Sequence, residues 1–198
     1  LMVMKTVLGQ SHSLMAEGGV NAAIGQSDPT DNWQIHFNDT LQAGRLINCK
    51  PMVEQLCRES PQRMYDLLHY GAGFETDREG KIVQQLGHSG GQTKDRVITQ
   101  GDFIGFVISR SLMSRALKLG LNIIDDTICV KILLSDKGEA TAVIAYNLKK
   151  SAFLVIESPS IILAAGGGGR LFGVTTNPFE TTGEAYVLLA FLDAVFQQ

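Results

Sequence analysis

The sequence predicts an α/β domain with a parallel sheet and a β-meander, and three observations carry that prediction. First, a helical stretch from Phe103 to Leu119, apolar at Val107, Ile108, Leu112, Ala116 and Leu119, runs directly into Asn122-Ile123-Ile124-Asp125. That is the pattern of a helix feeding a buried parallel strand, with Gly120 placed to cap the helix. Second, three β-rich runs follow, Ile128 to Leu134, Ala140 to Tyr146 and Phe153 to Ile156, with turns at Asp136-Lys137-Gly138 and Leu148-Lys149-Lys150. Third, the apolar run Ser160 to Ala165 ends in four glycines, Gly166 to Gly169. Consecutive glycines are entropically costly, so a predicted buried strand ending in them signals backbone lying close to a ligand or a sharp crossing.

Taken in order, the chain opens with Met2-Val3-Met4, a short strand-like run, and enters Gln10-Ser11-His12-Ser13-Leu14-Met15-Ala16-Glu17-Gly18-Gly19. Ten residues there hold a histidine, two hydroxyls, a carboxylate and paired glycines. A Gly-Gly step lets backbone pass close to a flat or phosphorylated ligand because no Cβ intervenes. Asp28-Pro29-Thr30-Asp31 reads as a turn and N-cap, leading into a helical pattern through Trp33, Ile35, Phe37 and Leu41. Lys50-Pro51 opens a second helix through Met52, Val53, Leu56, Met64, Leu67 and Leu68. His36 and His69 lie on these helices without partners at metal-ligand spacing and are expected at the surface, solvated or hydrogen-bonded. Tyr70-Gly71-Ala72-Gly73 stops the helix, and Asp77-Arg78-Glu79-Gly80 is a turn. Gln85-Leu86-Gly87-His88-Ser89-Gly90-Gly91 is a second glycine-flanked histidine, readable equally as a flexible polar loop or a ligand loop. A last apolar helix is expected from Tyr186 to Phe196.

Composition narrows the classes. With 198 residues, 44% hydrophobic and 19% charged, the chain is long enough for one substantial core. A net charge of -3 gives no electrostatic case for nucleic acid or an anionic membrane surface. No segment reaches the roughly 18 apolar residues that crossing a bilayer takes, so direct membrane insertion is not expected. Cys49, Cys57 and Cys129 form no Cys-x-x-Cys and are expected as buried thiols in a reducing compartment, which points to the cytoplasm.

Ser11-His12-Ser13, followed by Ala16-Glu17-Gly18-Gly19, resembles the flavin loop of the succinate dehydrogenase and fumarate reductase flavoprotein family. The resemblance implies bound FAD, carried covalently on His12, with the residues after it lining the isoalloxazine ring. It continues in Gly87, His88, Ser89 and Arg96, together with Gly101, Asp102 and Gly105, where the family contributes to a dicarboxylate pocket. Gln85 and Leu86 depart from the family's pattern there. So do Phe103, Ile104 and Phe106, which stand where it has Arg, Thr and His and make that wall apolar. By the same resemblance, main chain at Thr127, Ile128 and Cys129 holds the adenine. Ala165, Gly166 and Gly167 match the family's glycine segment, and Glu184 stands for an aspartate that touches the pyrophosphate–ribose region.

The likeness runs from about residue 7 to 195 and implies the glutathione-reductase-like three-layer FAD-binding fold, with its parallel sheet and β-meander. The Gly-x-Gly-x-x-Gly unit and the capping domain are not found in this stretch. The chain therefore reads as a single partial FAD-binding domain, 1–198, with a mainly helical insertion at 31–112. The strand and meander occupy 122–165, and the glycine loop and helix 166–198. The family moves hydride between flavin and succinate or fumarate, using an arginine that this stretch does not supply. No catalytic residue is therefore assigned here, and the chain alone is expected to be inactive. An iron–sulfur partner, and a place at the inner face of a membrane through partner subunits, are implied only by the resemblance. L-aspartate oxidase is related but normally lacks the flavin-linking histidine. A non-catalytic flavoprotein remnant or assembly module is the third reading, supported by the absent phosphate loop and the weakened pocket.

Overall fold

The computed structural model describes residues 1–85 and 91–190. The chain divides into two compact units, one comprising Leu1–His12 with the described residues from Leu117 onward, the other Ser13–Ala116.

In the first unit, β1 (Met2–Val3) pairs in parallel with β5 (Ile123–Ile124), Met2 opposite Ile123 and Val3 opposite Ile124. The predicted opening strand and the strand after the long helix are therefore neighbours, as a βαβ connection requires. The meander is antiparallel in the order β6 (Thr127–Leu134), β7 (Ala140–Asn147) and β8 (Ala152–Glu157), with an irregularity between Cys129 and Lys131. On one face Ile132 and Val143 pack with Leu188 of α4 (Glu184–Ala190), joined by Ile161 and Leu163. The helix starts two residues before the predicted position, and its expected end lies outside the described residues. Ser160 to Ala165 is not the predicted buried strand. Ile161 and Leu163 pack inward while Ile162 is 94% exposed, and among the described residues no strand pairs with the segment, so its alternation persists without a ladder.

The second unit contains α1 (Trp33–Ala43), α2 (Lys50–His69) and most of α3 (Ile104–Lys118). A small antiparallel sheet runs in the order β2 (Val20–Asn21), β4 (Val97–Ile98), β3 (Gln84–Gln85). Asn32 caps α1, its side-chain oxygen accepting from the Gln34 and Ile35 amides at 3.0 and 3.1 Å. Pro61 sits inside α2 and cannot donate to the Cys57 carbonyl; the Ser60 hydroxyl donates to that carbonyl instead, at 3.4 Å. One core joins Met64 and Leu67 of α2 to Ala72, Phe74, Ile82, Ile98 and Ile104, and a second joins Leu41, Val53 and Cys57.

Two expectations are corrected. His36 is buried, because it lies on the face of α1 turned toward Arg96. Cys49 is exposed at the start of α2, whereas Cys57 is buried. Among the described residues no helix is long and apolar enough to cross a membrane.

Candidate functional site

The histidine loop begins as a single 3-10 turn, His12–Met15, in which the Ala16 amide donates to the Ser13 carbonyl at 3.3 Å. Ser11, His12, Ser13, Ala16, Glu17, Gly18 and Gly19 are all exposed. The paired glycines do different work. A Cβ on Gly18 would meet nothing within 4 Å, so the backbone there stays open to an approaching ligand. Gly19 has φ +142°, and a Cβ on it would lie 2.5 Å from Val97 Cγ1, so this glycine lets the loop press against β4.

The stem of the loop is tied down within its own unit. The Lys5 ammonium lies 2.5 Å from Glu184 Oε1 and donates to the Glu180 carbonyl at 3.1 Å and to the Thr182 hydroxyl. Gln10 Nε2 donates to Glu180 Oε1 at 2.6 Å. Burial alone would raise the Glu184 pKa, but hydrogen bonds from Lys5, Thr182 and its own amide outweigh it and hold the carboxyl below its usual 4.5. Lys5 and Gln10 carry no motif in the sequence, so their part emerges only once the strand and the 180–184 turn are brought together.

Among the described residues β6 is an edge strand, with β7 as its sheet neighbour. The Thr127 amide on its first residue donates to the Met4 carbonyl at 2.8 Å. Thr127 and Asn147 are buried, and the Asn147 amide donates to Thr127 Oγ1 at 2.7 Å and to the Asp125 carbonyl at 3.2 Å. This network fixes the main chain at Thr127, Ile128 and Cys129. In the glycine run, a Cβ on Gly166 (φ +72°) or Gly167 would meet nothing within 4 Å. On Gly168 and Gly169 it would collide with Leu171 and Asn177, at 2.9 and 2.4 Å. The first half of the run, after exposed Ala165, is thus open and the second half is packed.

Arg96, expected in the substrate pocket, is held among carboxylates. It is 0% exposed, with Nε and Nη2 donating to Asp31 at 3.2 and 2.8 Å, and Nη1 lies 2.8 Å from Asp39 Oδ2. The last contact is an ion pair without an aligned hydrogen bond. Asp39 also accepts from the Thr93 amide at 3.0 Å. The guanidinium is enclosed between the two carboxylates, and the Arg96 backbone carbonyl accepts from the Ala22 amide, which ties the cluster to the segment after the histidine loop. Of the altered wall residues, Ile104 lies in the core while Phe103 and Phe106 are exposed. Gly87, His88 and Ser89 lie outside the described residues.

His36 borders the Arg96 cluster, its Nδ1 without a hydrogen-bond partner among the described residues. Burial first, and the Arg96 charge second, push its pKa below the ordinary 6.5, against the pull of Asp31 and Asp39. The unfolded chain therefore binds a proton as pH falls below about 6.5 while the folded chain resists it, so stability is full above that pH and declines below it. We expect the Trp33 fluorescence midpoint in urea to fall between pH 7 and pH 5, and a His36→Gln variant to lose much of that slope. An equal slope in the variant would assign the pH dependence elsewhere.

The comparisons with known proteins agree with this geometry. Residues 1–195 match the family described as FAD binding domain, and the chain belongs to that family. It is 33% identical over 174 residues to one component of the fumarate reductase (CoM/CoB) of Methanothermobacter marburgensis, covering 88% of this chain and 31% of that protein. The succinate dehydrogenase flavoprotein subunit of Rickettsia conorii is 28% identical over 181 residues, with 88% and 30% covered. L-aspartate oxidase of Streptomyces coelicolor is 30% identical over 192 residues, with 95% and 32% covered. Among solved structures, the Mycobacterium smegmatis Sdh1 complex in the apo form superimposes with a TM-score of 0.91 at 32% identity, over 96% of this chain and 34% of that one. The chain spans about a third of the length of the curated relatives it matches. In the first unit the exposed His12 imidazole and the open backbone at Gly166 and Gly167, and in the second the open backbone at Gly18, each suit close approach by a flat or phosphorylated group of the kind FAD carries.

Proposed function

We propose that this chain is the FAD-holding part of a flavoprotein oxidoreductase of the succinate dehydrogenase and fumarate reductase type, with His12 as the flavin's point of attachment. The observation that carries the reading is an exposed His12 at the head of a 3-10 turn, followed within the same loop by the open backbone of Gly18. FAD, when bound, supplies the ring system that accepts or donates a hydride.

The chain's own residues bind and orient. Ser11, Ser13, Ala16, Glu17, Gly18 and Gly19 line the ring, main chain at Thr127, Ile128 and Cys129 holds the adenine, and Ala165, Gly166 and Gly167 admit the cofactor's backbone. Glu184, kept ionised by Lys5, accepts hydrogen bonds from ribose hydroxyls. His12 would hold the flavin covalently through one of its ring nitrogens.

We propose that the substrate of the complete protein is a dicarboxylate such as succinate or fumarate, and that electrons pass to an iron–sulfur subunit. Such a protein would lie at the inner face of a membrane through its partners. The domain is one glutathione-reductase-like FAD-binding fold over 1–198, with 31–112 inserted. The L-aspartate oxidase reading is weaker because His12 supplies the attachment group that the oxidase normally lacks.

The test loads the purified protein with FAD and precipitates it in acid. Yellow colour that stays with the pellet is expected, and His12→Ser should still bind FAD yet release all of it on precipitation. A His12→Ser pellet as yellow as the parent's would contradict the assignment.

A further inference from the structure

We infer that Gly105, at the second position of α3, is a positioning residue that sets the shape of the flavin loop. This rests on the proposed FAD function. A Cβ on Gly105 would lie 2.0 Å from the Ser13 carbonyl oxygen, 2.7 Å from the Ala16 nitrogen and 2.9 Å from the Ala16 oxygen. All three atoms are backbone, so no rotamer change relieves the overlap. The Gly105 amide also donates to the Ala16 carbonyl at 2.9 Å, which draws helix and loop together into one seam.

Which side gives way decides the consequence. Gly105 is buried and Ile104 beside it is 1% exposed in the main core, so the helix is anchored. Ser13, Met15 and Ala16 are exposed, so the loop is free to move. A methyl group at 105 therefore displaces the loop by about 1 Å or more to reach an ordinary carbon–oxygen contact. The fold survives, while the backbone that presents His12 and opens at Gly18 is moved out of register. Displacements of about 1 Å in a site commonly cost tenfold to a hundredfold in function.

The experiment titrates parent and Gly105→Ala protein with FAD and separately with ADP, which shares the cofactor's adenine end and carries none of its ring system. FAD affinity is expected to fall about tenfold or more, with ADP affinity unchanged and the ligand-free melting temperature within about 3 °C of the parent's. Should the single variant fail to fold, Gly105→Ala with Ala16→Gly frees the loop backbone to retreat, and the same FAD-specific loss is expected of it. Unchanged FAD affinity would overturn the inference. So would FAD and ADP affinities falling together with the melting temperature, or failure of both variants to fold, since each makes Gly105 a general packing residue. A parent that binds no FAD overturns the functional reading itself, a separate result from a parent that binds and a variant that binds equally.

Discussion

Arg96→Leu is expected to destabilise the Ser13–Ala116 unit by about 3–5 kcal/mol, because it strands two buried carboxylates. Asp31 and Asp39 are 7% and 8% exposed, and the guanidinium is the cation between them. The net worth of the intact cluster is a different quantity, since burying three charges is itself costly and offsets most of their mutual attraction. Removing the cation alone keeps the cost and deletes the compensation. Trp33, the sole tryptophan, belongs to this unit, and its ring is covered by the Arg58 guanidinium at 3.7 Å, so its fluorescence reports the transition. Loss of Arg96 also removes a charge that opposes protonation of His36. A protonated His36 would then neutralise one aspartate in part, so the variant's deficit should be smaller at pH 5.5 than at pH 7.5. A deficit below about 1 kcal/mol, the value typical of an exposed pair, would show that the cluster is hydrated.

In the other unit, Asn147→Leu is expected to cost about 2–3 kcal/mol. The side chain serves three buried or part-buried partners, donating to Thr127 Oγ1 and the Asp125 carbonyl and accepting from the Lys150 amide at 2.8 Å. Leucine fits the volume but leaves polar groups of the β6–β7 register without partners, each worth about 1–3 kcal/mol when buried. Hydrogen exchange is the suitable measurement, with protection at β7 amides falling about a hundredfold and the Trp33 transition unmoved. Asn147→Asp keeps the acceptor for Lys150 and loses both donations, so it should fall between parent and leucine. Unchanged protection in the leucine variant would remove Asn147 from the account of how the β6 edge is held.

Much of this architecture was legible in the residues. Period-two runs separated by turns specify the meander, and Met2-Val3 and Ile123-Ile124 read as strands because both are short and apolar. Ser160 to Ala165 misleads because an apolar run alone cannot reveal whether a partner strand exists. β2, β3 and β4 are two residues each, too short to show any period. The apolar spacing from Met52 to Leu68 carried the second helix through Pro61, and the structure adds that the Ser60 hydroxyl donates to the Cys57 carbonyl that Pro61 cannot serve.

The site was legible where chemistry is local and hidden where it is assembled. His12, Gly18 and Gly166 stand out as unusual residues in short motifs. The Lys5 contact with Glu184 spans 179 positions and the Arg96 contact with Asp31 spans 65, so neither leaves a spacing to read. His36 was expected at the surface because Arg96, the cation it borders, comes from a distant stretch of the chain. Gly105 is marked by a motif match, but its contact with the Ser13–Ala16 backbone is visible only in three dimensions.

The most direct test of the central claim is peptide mass spectrometry of the FAD-loaded protein after proteolysis and acid treatment. The account predicts that the peptide spanning Gly9 to Glu17 carries the added mass of the flavin, with fragmentation placing it on His12. Protein that holds FAD yet yields this peptide entirely unmodified would contradict the claim that His12 is where the flavin is attached.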